Sequence, residues 1–580
     1  MSETLTACPL DCYDACGISY ENGKIKAFKS GHTNGFLCPH MNHYEKHEII
    51  NLPRYKGKEI TLEGALIHLA QMLRESEPKS VLHYRGSGNF ALMQEVSDHF
   101  FASYGATLTE GTLCDGAGEA GIVEGRGSNK NMPISEIEKS EVVIFWGRNP
   151  HTTSSHLLPL IKDKTIIVID PVKTKIAKMA DLHLQVKPKG DLHLAMLLSR
   201  FLHIDHGCDI EYLQEHASEF EEFYELTQTI RIKATLEEID VTLGQIGKVL
   251  ELIKDKRVAI VCGVGIQKYR DGAEIMRAID AFGVMLGLFG KEGCGVAYLG
   301  SSREHISSPF NTNAKQRVSK VNTEFSNFKT VFIQGANPLS QMPDSLRVKE
   351  SISKVENVVY FGLYENETSE IADLVIPAKS FLHKDDVRTS YSHNAMMFMN
   401  KVQDSDAGIS EYELSSYLCK YFNIDIEGEE FYLNHFKSFG AEQDDGIRRV
   451  KNREEIPYQD GFDTDDGEFL FLDEFETNLE KSDKLHLITS KSLTSLNSQF
   501  NRESNVYLNS SLGFKDDELV KITSDNGSVE LKVKLNDDLR DDCVLIFSGT
   551  KGVNNLTSSK HSYEGKSAIY QENRVNVSKV

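Results

Sequence analysis

The chain has 580 residues, 40% of them hydrophobic, which is enough for several domains with cores of normal size and excludes a disordered chain. Its formal net charge is -22 and no basic stripe interrupts the acidic balance, so nucleic acid is excluded as a partner of the chain as a whole. No run of about 18 apolar residues occurs, which excludes a helical membrane span.

In chain order the first feature is a cysteine quartet, Cys8-Pro-Leu-Asp-Cys12-Tyr-Asp-Ala-Cys16 followed by Gly35-Phe-Leu-Cys38-Pro39. The spacing C-x3-C-x3-C-x21-C takes three thiolates from one loop and the fourth from beyond a short excursion. A cubane iron–sulfur cluster needs one soft thiolate at each iron, and the spacing suits one. Zinc in a four-thiolate site is the competing metal, although zinc sites usually pair their ligands as two close doublets. Between Cys16 and Cys38 the stretch Ile18 to Phe28 alternates, turns at Asn22-Gly23 and alternates again. This predicts a β-hairpin that carries the chain out and back, so that Cys38 can complete the ligand set. Only residues 1–7 precede Cys8, leaving no room there for a secretory or twin-arginine leader. The remaining cysteines, Cys114, Cys208, Cys262, Cys294, Cys419 and Cys543, are scattered, which fits a reducing cytoplasm better than a disulfide framework.

The stretch from Thr61 to Glu75 has helical periodicity and a threonine start. Ser80 to Gly88 reads as a strand running into a glycine-rich turn. From Glu141 the rhythm is α/β: Glu141 to Trp146, Thr165 to Asp170 and Val258 to Cys262 are apolar runs without alternation, with a helix over Asp191 to Leu202. Such runs predict strands covered on both faces, hence a parallel sheet. Thr330-Val-Phe-Ile-Gln-Gly335-Ala-Asn337-Pro338 echoes Val142-Val-Ile-Phe-Trp146-Gly147-Arg-Asn149-Pro150, and further strands follow at Asn357 to Phe361 and Asp373 to Pro377. Two similar half-sheets facing each other are expected. From Asp444 to Lys481 the chain is acidic and low in sheet signal, and reads as an exposed connection. After Leu485 alternating runs with an Asn526-Gly527 turn predict a small terminal β-barrel.

In a parallel sheet, ligands bind beyond the carboxyl ends of the strands. Gly147, Asn149, Pro150, Asp170, Pro171, Gly263, Gly265, Gly335 and Asn337 all fall there. Glycines let backbone amides approach phosphates, and Asp170 could accept from a ribose hydroxyl or a guanine edge. Taken singly these residues also make ordinary βα turns; their repetition at several strand ends points to an extended nucleotide-like ligand. Cys114 lies in Gly111-Thr-Leu-Cys114-Asp115-Gly116-Ala-Gly118-Glu-Ala-Gly121, a small-residue loop from which a thiol could reach a metal or substrate, or simply be buried.

Together these motifs resemble the molybdopterin oxidoreductase family, the dimethyl sulfoxide reductase superfamily, over nearly the whole chain. The resemblance is carried by the cysteine quartet, Trp146-Gly-Arg-Asn149-Pro150 with His156, Val168-Ile-Asp170-Pro-Val-Lys-Thr174 and Pro188-Lys-Gly190-Asp191. Gly335-Ala-Asn337-Pro338, Ala372-Asp373-Leu-Val-Ile-Pro377 and Gly552-Val-Asn554-Asn555-Leu-Thr557 complete it. It implies an α/β multidomain fold: two doubly wound parallel-sheet domains around a bis-pterin cofactor, a small N-terminal iron–sulfur subdomain and a C-terminal β-barrel. The implied division is a 4Fe-4S subdomain at 1–56, a discontinuous α/β domain at 57–130 and 300–470, a Rossmann-like domain at 131–299, and a molybdopterin dinucleotide-binding barrel at 480–580.

The implied cofactors are one 4Fe-4S cluster held by Cys8, Cys12, Cys16 and Cys38, and molybdenum or tungsten held by two pterin guanine dinucleotides. Cys114 lies where many members have the metal's protein ligand, and Gly121 keeps the cysteine-x6-glycine spacing of cysteine-ligated members. Asp170, Thr174 and Asp191 would touch the nucleotides; Gly147, Asn149, Gly263, Gly335 and Asn337 would line the phosphates. Ser490, Lys491, Asn509 and Asn554 would come from the barrel. The implied reaction is a two-electron redox conversion of a small substrate, with electrons leaving through the cluster to a partner such as a ferredoxin-like subunit. Two departures stand out. Asp115 follows the ligand position where formate dehydrogenases have His, and His40-Met41 replaces a common Lys-Gly. The run Phe381 to Asn394 looks closer to the sulfur-oxyanion reductase branch. Asp115, His383, Arg388 and His393 are possible groups around the metal, each also readable as structural. The rival is a non-catalytic iron–sulfur electron-transfer subunit of a larger respiratory complex.

Overall fold

The structure, a computed structural model, describes residues 3–28, 33, 35–87, 91–217, 219–442, 448–476, 479 and 481–580; Gly88 of the expected glycine-rich turn and Asp444 lie outside these residues. Strands Gly17–Glu21 and Lys24–Ala27 pair around the Asn22-Gly23 turn, and Thr4–Ala7 adds antiparallel to the first of them. Cys8 therefore leaves the end of one strand and Cys16 enters the start of its neighbour, and the Cys8 N–H donates to the Cys16 carbonyl at 2.8 Å. The ladder closes the loop that carries three cysteines.

An eight-stranded sheet follows the order Gln316–Ser319, Thr107–Glu110, Val81–Arg85, Thr330–Gln334, Asn357–Gly362, Leu374–Pro377, Arg54–Tyr55, Lys58–Glu59. It is parallel except for the Arg54–Glu59 hairpin at one edge. The helix Leu62–Arg74 begins as the sequence predicts, with the Thr61 hydroxyl accepting the Gly64 N–H at 3.1 Å. A second, wholly parallel sheet has the order Leu182–Leu184, Thr165–Ile169, Val142–Trp146, Val258–Cys262, Gly295–Ala297. Its central strands are buried on both faces between helices that include Asp191–Ile204 and Gly272–Met285, the environment that unbroken apolar runs require.

The two sheets repeat one another at the level of hydrogen bonds. The Gly147 N–H donates to the Ile169 carbonyl and the Gly263 N–H to the Trp146 carbonyl, both at 2.8 Å. In the larger sheet the Gly335 N–H donates to the Phe361 carbonyl and the Gly86 N–H to the Gln334 carbonyl, again at 2.8 Å. Gly147 and Gly335 sit at φ +60° and +54°, a left-handed turn that glycine makes without steric cost. After each, a proline opens a short helical turn, Pro150–Thr153 and Pro338–Gln341.

The C-terminal segment forms a closed barrel of Leu485–Ile488, Cys543–Leu545, Asn505–Leu508, Ser528–Leu535, Leu519–Thr523 and Arg574–Lys579. The expected exposed connection from Asp444 is a different object. Its residues Arg448–Val450 pair with Gly440–Glu442, and Tyr458, Phe462, Phe469, Phe471 and Leu472 are buried in the core of the five-stranded sheet domain. Acidic residues between them hold the surface, so average composition hid an apolar anchor strung along the segment. No helix among the described residues is long and apolar enough to cross a membrane.

Candidate active site and cofactor cradle

The cysteine loop is gathered into one pocket. Cys8 and Cys16 are buried, and Cys12 and Cys38 are half-buried beside them. Burial pushes the Cys8 thiol up to about 12, with Cys38 adding to the effect, and raises Cys16, to which Asp14 and then the other three cysteines contribute. Four thiols that oppose one another's ionisation are a poor set of free thiolates but a fitting one for a cationic metal centre, which takes the protons' place. No disulfide links any of the ten cysteines.

What holds this loop comes from far along the chain. The fully buried Arg388 donates from its guanidinium to the Leu10 carbonyl at 2.9 Å. The Ser390 hydroxyl donates to the Tyr13 carbonyl at 3.2 Å, and His393 Nε2 donates to the Asp14 carbonyl at 2.8 Å. The His393 Nδ1 accepts the Ala395 N–H at 3.2 Å, and burial pushes that imidazole down to about 4, so it is neutral in this role. Arg388 ends the strand Asp386–Arg388, whose antiparallel partner Met397–Met399 sets the loop that reaches the cysteines. Arg388 and His393, read from the sequence as groups around the metal, thus bond to the cysteine loop's backbone. His383 accepts from Gln403 Nε2 at 2.9 Å, away from this loop.

The larger sheet's strand ends border a recess whose walls include Gly335, Asn337, Gly362, Asn366 and, from the N-terminal unit, Leu10 and Tyr44. Leu10 lies inside the cysteine loop, so the recess and the loop share a wall. Asn337 Nδ2 donates to Glu367 at 2.8 Å, and Arg502 from the barrel bonds the other Glu367 oxygen at 2.8 Å. Asn554 Nδ2 donates to the Ser340 carbonyl at 2.7 Å, in the turn that follows Asn337. In the other half, Oδ1 of Asp170 accepts the Val172 N–H at 2.8 Å, and burial lifts its carboxyl to about 7. Val172 forms an isolated bridge to Leu539 of the barrel, whose carbonyl accepts from Asn509 Nδ2 at 2.7 Å. Thr174 lies on the same turn, its hydroxyl accepting the Ala177 N–H at 3.4 Å. Asp191 accepts the Trp146 indole N–H at 2.7 Å, so one of its oxygens serves the fold. Ser490 accepts the Ser548 N–H at 2.7 Å, and Lys491 is bonded to Asn497.

Between the halves stands Cys114. Its N–H bonds the Thr112 hydroxyl at 2.9 Å, and its carbonyl accepts from Gln267 Nε2 at 2.8 Å. Lys268 donates to the neighbouring Leu113 carbonyl at 2.8 Å and lies over the Tyr570 ring at 4.5 Å. The loop is therefore fixed by the smaller sheet domain and met by the barrel. Burial pushes Cys114 up to about 12, with Asp115 adding to it and Lys268 opposing. Burial, Glu119 and Asp11 lift Asp115 to about 6. The sequence did not single out Lys268 or Gln267. Their signal was the polar pair directly after Gly263-Val-Gly265-Ile266, at the end of a buried strand.

Comparison with known proteins decides the family. The family model described as molybdopterin oxidoreductase matches residues 58–421, well over half the chain. This chain belongs to the molybdopterin oxidoreductase family. The molybdopterin dinucleotide binding domain matches residues 485–572, which is the closed barrel. The chain is 28% identical over 501 residues to the probable oxidoreductase YyaE of Bacillus subtilis, covering 78% of this chain and 74% of that one. It is 21% identical over 475 residues to formate dehydrogenase H of Escherichia coli, covering 70% and 66%. Against the assimilatory nitrate reductase catalytic subunit of Bacillus subtilis it is 23% identical over 325 residues, covering 48% and 46%. Acetylene hydratase from Pelobacter acetylenicus superposes with a TM-score of 0.80 at 15% identity, covering 99% of this chain and 100% of that one, which establishes the shared fold.

The residues suit the family's pterin cofactor. A Cβ on Gly263 would lie 1.8 Å from the Gly147 carbonyl oxygen, and one on Gly86 would lie 2.5 Å from that of Gly335, so glycine alone lets the neighbouring strand-end turns pack this closely. Asn149 Oδ1 is buried without a hydrogen-bond partner among the described residues, an acceptor left over for a bound donor.

Proposed function

We propose that this enzyme is a molybdenum- or tungsten-dependent oxidoreductase that carries two molybdopterin guanine dinucleotides and one 4Fe-4S cluster. It performs a two-electron conversion of a small substrate and exchanges electrons singly with a ferredoxin-like partner subunit. The observation that carries this reading is the shared wall at Leu10: the four-cysteine pocket backs directly onto the recess formed by one of the duplicated glycine turns. A one-electron centre beside a dinucleotide cradle is the arrangement that splits a two-electron reaction into single transfers.

Cys8, Cys12, Cys16 and Cys38 would hold the cluster. Gly147, Asn149, Asp170, Thr174, Asp191, Gly263 and Asn509 would hold one dinucleotide, and Gly335, Asn337 and Asn554 the other, with Ser490 and Lys491 at the barrel rim. When bound, the pterin-held metal supplies the two-electron chemistry. Cys114 would be its protein ligand. Asp115, lifted to about 6, is able to hold a proton on its carboxyl close to neutrality and release it beside the substrate. We would divide the chain at 1–56, 57–130 with 300–470, 131–299 and 480–580, although Arg54–Tyr55 pairs into the eight-stranded sheet and Tyr458, Phe462 and Phe469 pack in the core of the five-stranded one. Ten cysteines without a disulfide support a reducing, cytoplasmic setting.

The test is metal analysis of anaerobically purified protein, with about four irons and one molybdenum or tungsten expected per chain. Cys38→Ala should remove the cluster's paramagnetic signal and keep most of the pterin. Zinc without acid-labile sulfide would defeat the cluster reading, and iron without pterin would favour a pure electron-transfer subunit.

A further inference from the structure

His156 lies against the cysteine pocket, yet it belongs neither to the nucleotide turns nor to the hydrogen bonds from Arg388, Ser390 and His393. It sits on the short helical segment Ser155–Ile161, directly after the Gly147 turn, and is 1% exposed. Its Nδ1 is 2.7 Å from Asp14 Oδ2 and 3.5 Å from Cys16 Sγ. Its Nε2 is 3.1 Å from the Phe36 carbonyl oxygen, and its ring stacks on Phe36 with centroids 4.3 Å apart. The same Asp14 oxygen also takes the His156 backbone N–H at 3.3 Å.

Nδ1 faces the Asp14 oxygen and the cysteine sulfur together, so a hydrogen carried there is shared between the two. Hydrogen-bond donors at a cluster's sulfurs favour its reduced, more negative state and so raise its reduction potential. The Asp14–His156 pair is ordered from two units of the chain at once. We propose that His156, held by Asp14 and Phe36, is a positioning residue that raises the reduction potential of the cluster through its contact with Cys16.

The inference rests on the 4Fe-4S reading of the cysteine quartet. The three donor atoms of Asp14, Cys16 and His156 lie within 4.8 Å of one another, so the trio could instead take a lone divalent ion. Iron and zinc content separates the two. The experiment is a potentiometric titration of the full chain, followed by electron paramagnetic resonance, on wild type, His156→Phe and His156→Gln. His156→Phe keeps a ring to stack on Phe36 and loses both ring nitrogens, so its cluster midpoint should fall below that of wild type. His156→Gln retains a side-chain donor and should recover part of the shift. Iron should stay near four per chain throughout. An unchanged midpoint in His156→Phe with iron retained overturns the proposal. If His156→Phe loses iron, His156→Gln decides: a lowered midpoint supports the proposal and an unchanged one overturns it. Zinc in place of iron in wild type defeats the cluster reading and this inference together. Iron in wild type without a shift in the variants defeats this inference alone.

Discussion

Replacing Arg388 by Met tests whether distant hydrogen bonds keep the cysteine loop in ligating geometry. The Arg388 guanidinium is fully buried and donates to the Leu10 carbonyl at 2.9 Å. Methionine fills similar space but leaves that carbonyl without this donor. A charge-assisted hydrogen bond of this kind contributes about 1.5–3 kcal/mol, which is about 10- to 100-fold in the equilibrium between ordered and opened loop. The bond from Ser390 to the Tyr13 carbonyl is uncharged and longer, at 3.2 Å. Ser390→Ala should therefore cost only about 0.5–1 kcal/mol, or about 2- to 5-fold. The assay is the rate at which iron is lost to a strong chelator under anaerobic conditions, with circular dichroism confirming that the rest of the chain stays folded. Iron should leave Arg388→Met about 10 to 100 times faster than wild type, and Ser390→Ala only a few times faster. Equal rates for Arg388→Met and wild type would refute the reasoning, and so would a Ser390→Ala variant as labile as Arg388→Met. If Arg388 acted on substrate instead, activity would collapse while the rate of iron loss stayed that of wild type.

Asp170→Asn keeps an oxygen for the Val172 N–H and removes a carboxyl that burial holds at about 7, well above the ordinary carboxylate value. A raised carboxyl costs the folded state increasingly as pH climbs from about 4 through 7, so the variant should be more stable than wild type by about 4 kcal/mol at pH 8 and should match wild type at pH 4. It should also retain less pterin dinucleotide; melting curves at the two pH values and pterin fluorescence check both, and a wild-type melting temperature at pH 8 would contradict the linkage. Gly263→Ala brings a Cβ to 1.8 Å from the Gly147 carbonyl oxygen. The smaller sheet's strand ends must part, at about 1–3 kcal/mol, and pterin content should drop while iron stays; full pterin retention would show that this close approach is dispensable. Cys114→Ser should keep metal and pterin yet lower activity severely, because the thiolate tunes the metal. X-ray absorption at the molybdenum or tungsten edge should count one sulfur fewer, and an unchanged sulfur count would remove Cys114 from the ligand set.

Local chemistry made much of this protein legible before any tertiary contact was known. Asn22-Gly23 between alternating runs closes its hairpin whatever surrounds it, because the turn's backbone preference is intrinsic. The unbroken apolar runs at Val142–Trp146 and Val258–Cys262 could only be strands covered on both faces. The repeated strand–Gly–x–Asn–Pro motif disclosed the duplication, since a left-handed glycine and a proline-opened turn are local requirements. The family, too, was readable from motif order. The aromatics Tyr458, Phe462, Phe469 and Phe471 were visible but misjudged, because the acidic residues between them dominated the composition.

Tertiary structure alone decided how the site is held. Arg388, Ser390 and His393 bond the carbonyls of Leu10, Tyr13 and Asp14 across more than 370 positions of chain, and a carbonyl carries no side-chain mark by which its partner could be named. The same holds for Asp191, whose acceptance from Trp146 depends on a helix start packing beside a strand end, and for His156, brought to Cys16 by the docking of one unit on another. Sequence determines where a backbone turns, which faces are apolar and which residue types can bind a metal, because these follow from each residue and its near neighbours. Which distant donor meets which orphaned acceptor is settled only when the units pack, since burial makes every such group seek a partner and the packing decides which one it finds.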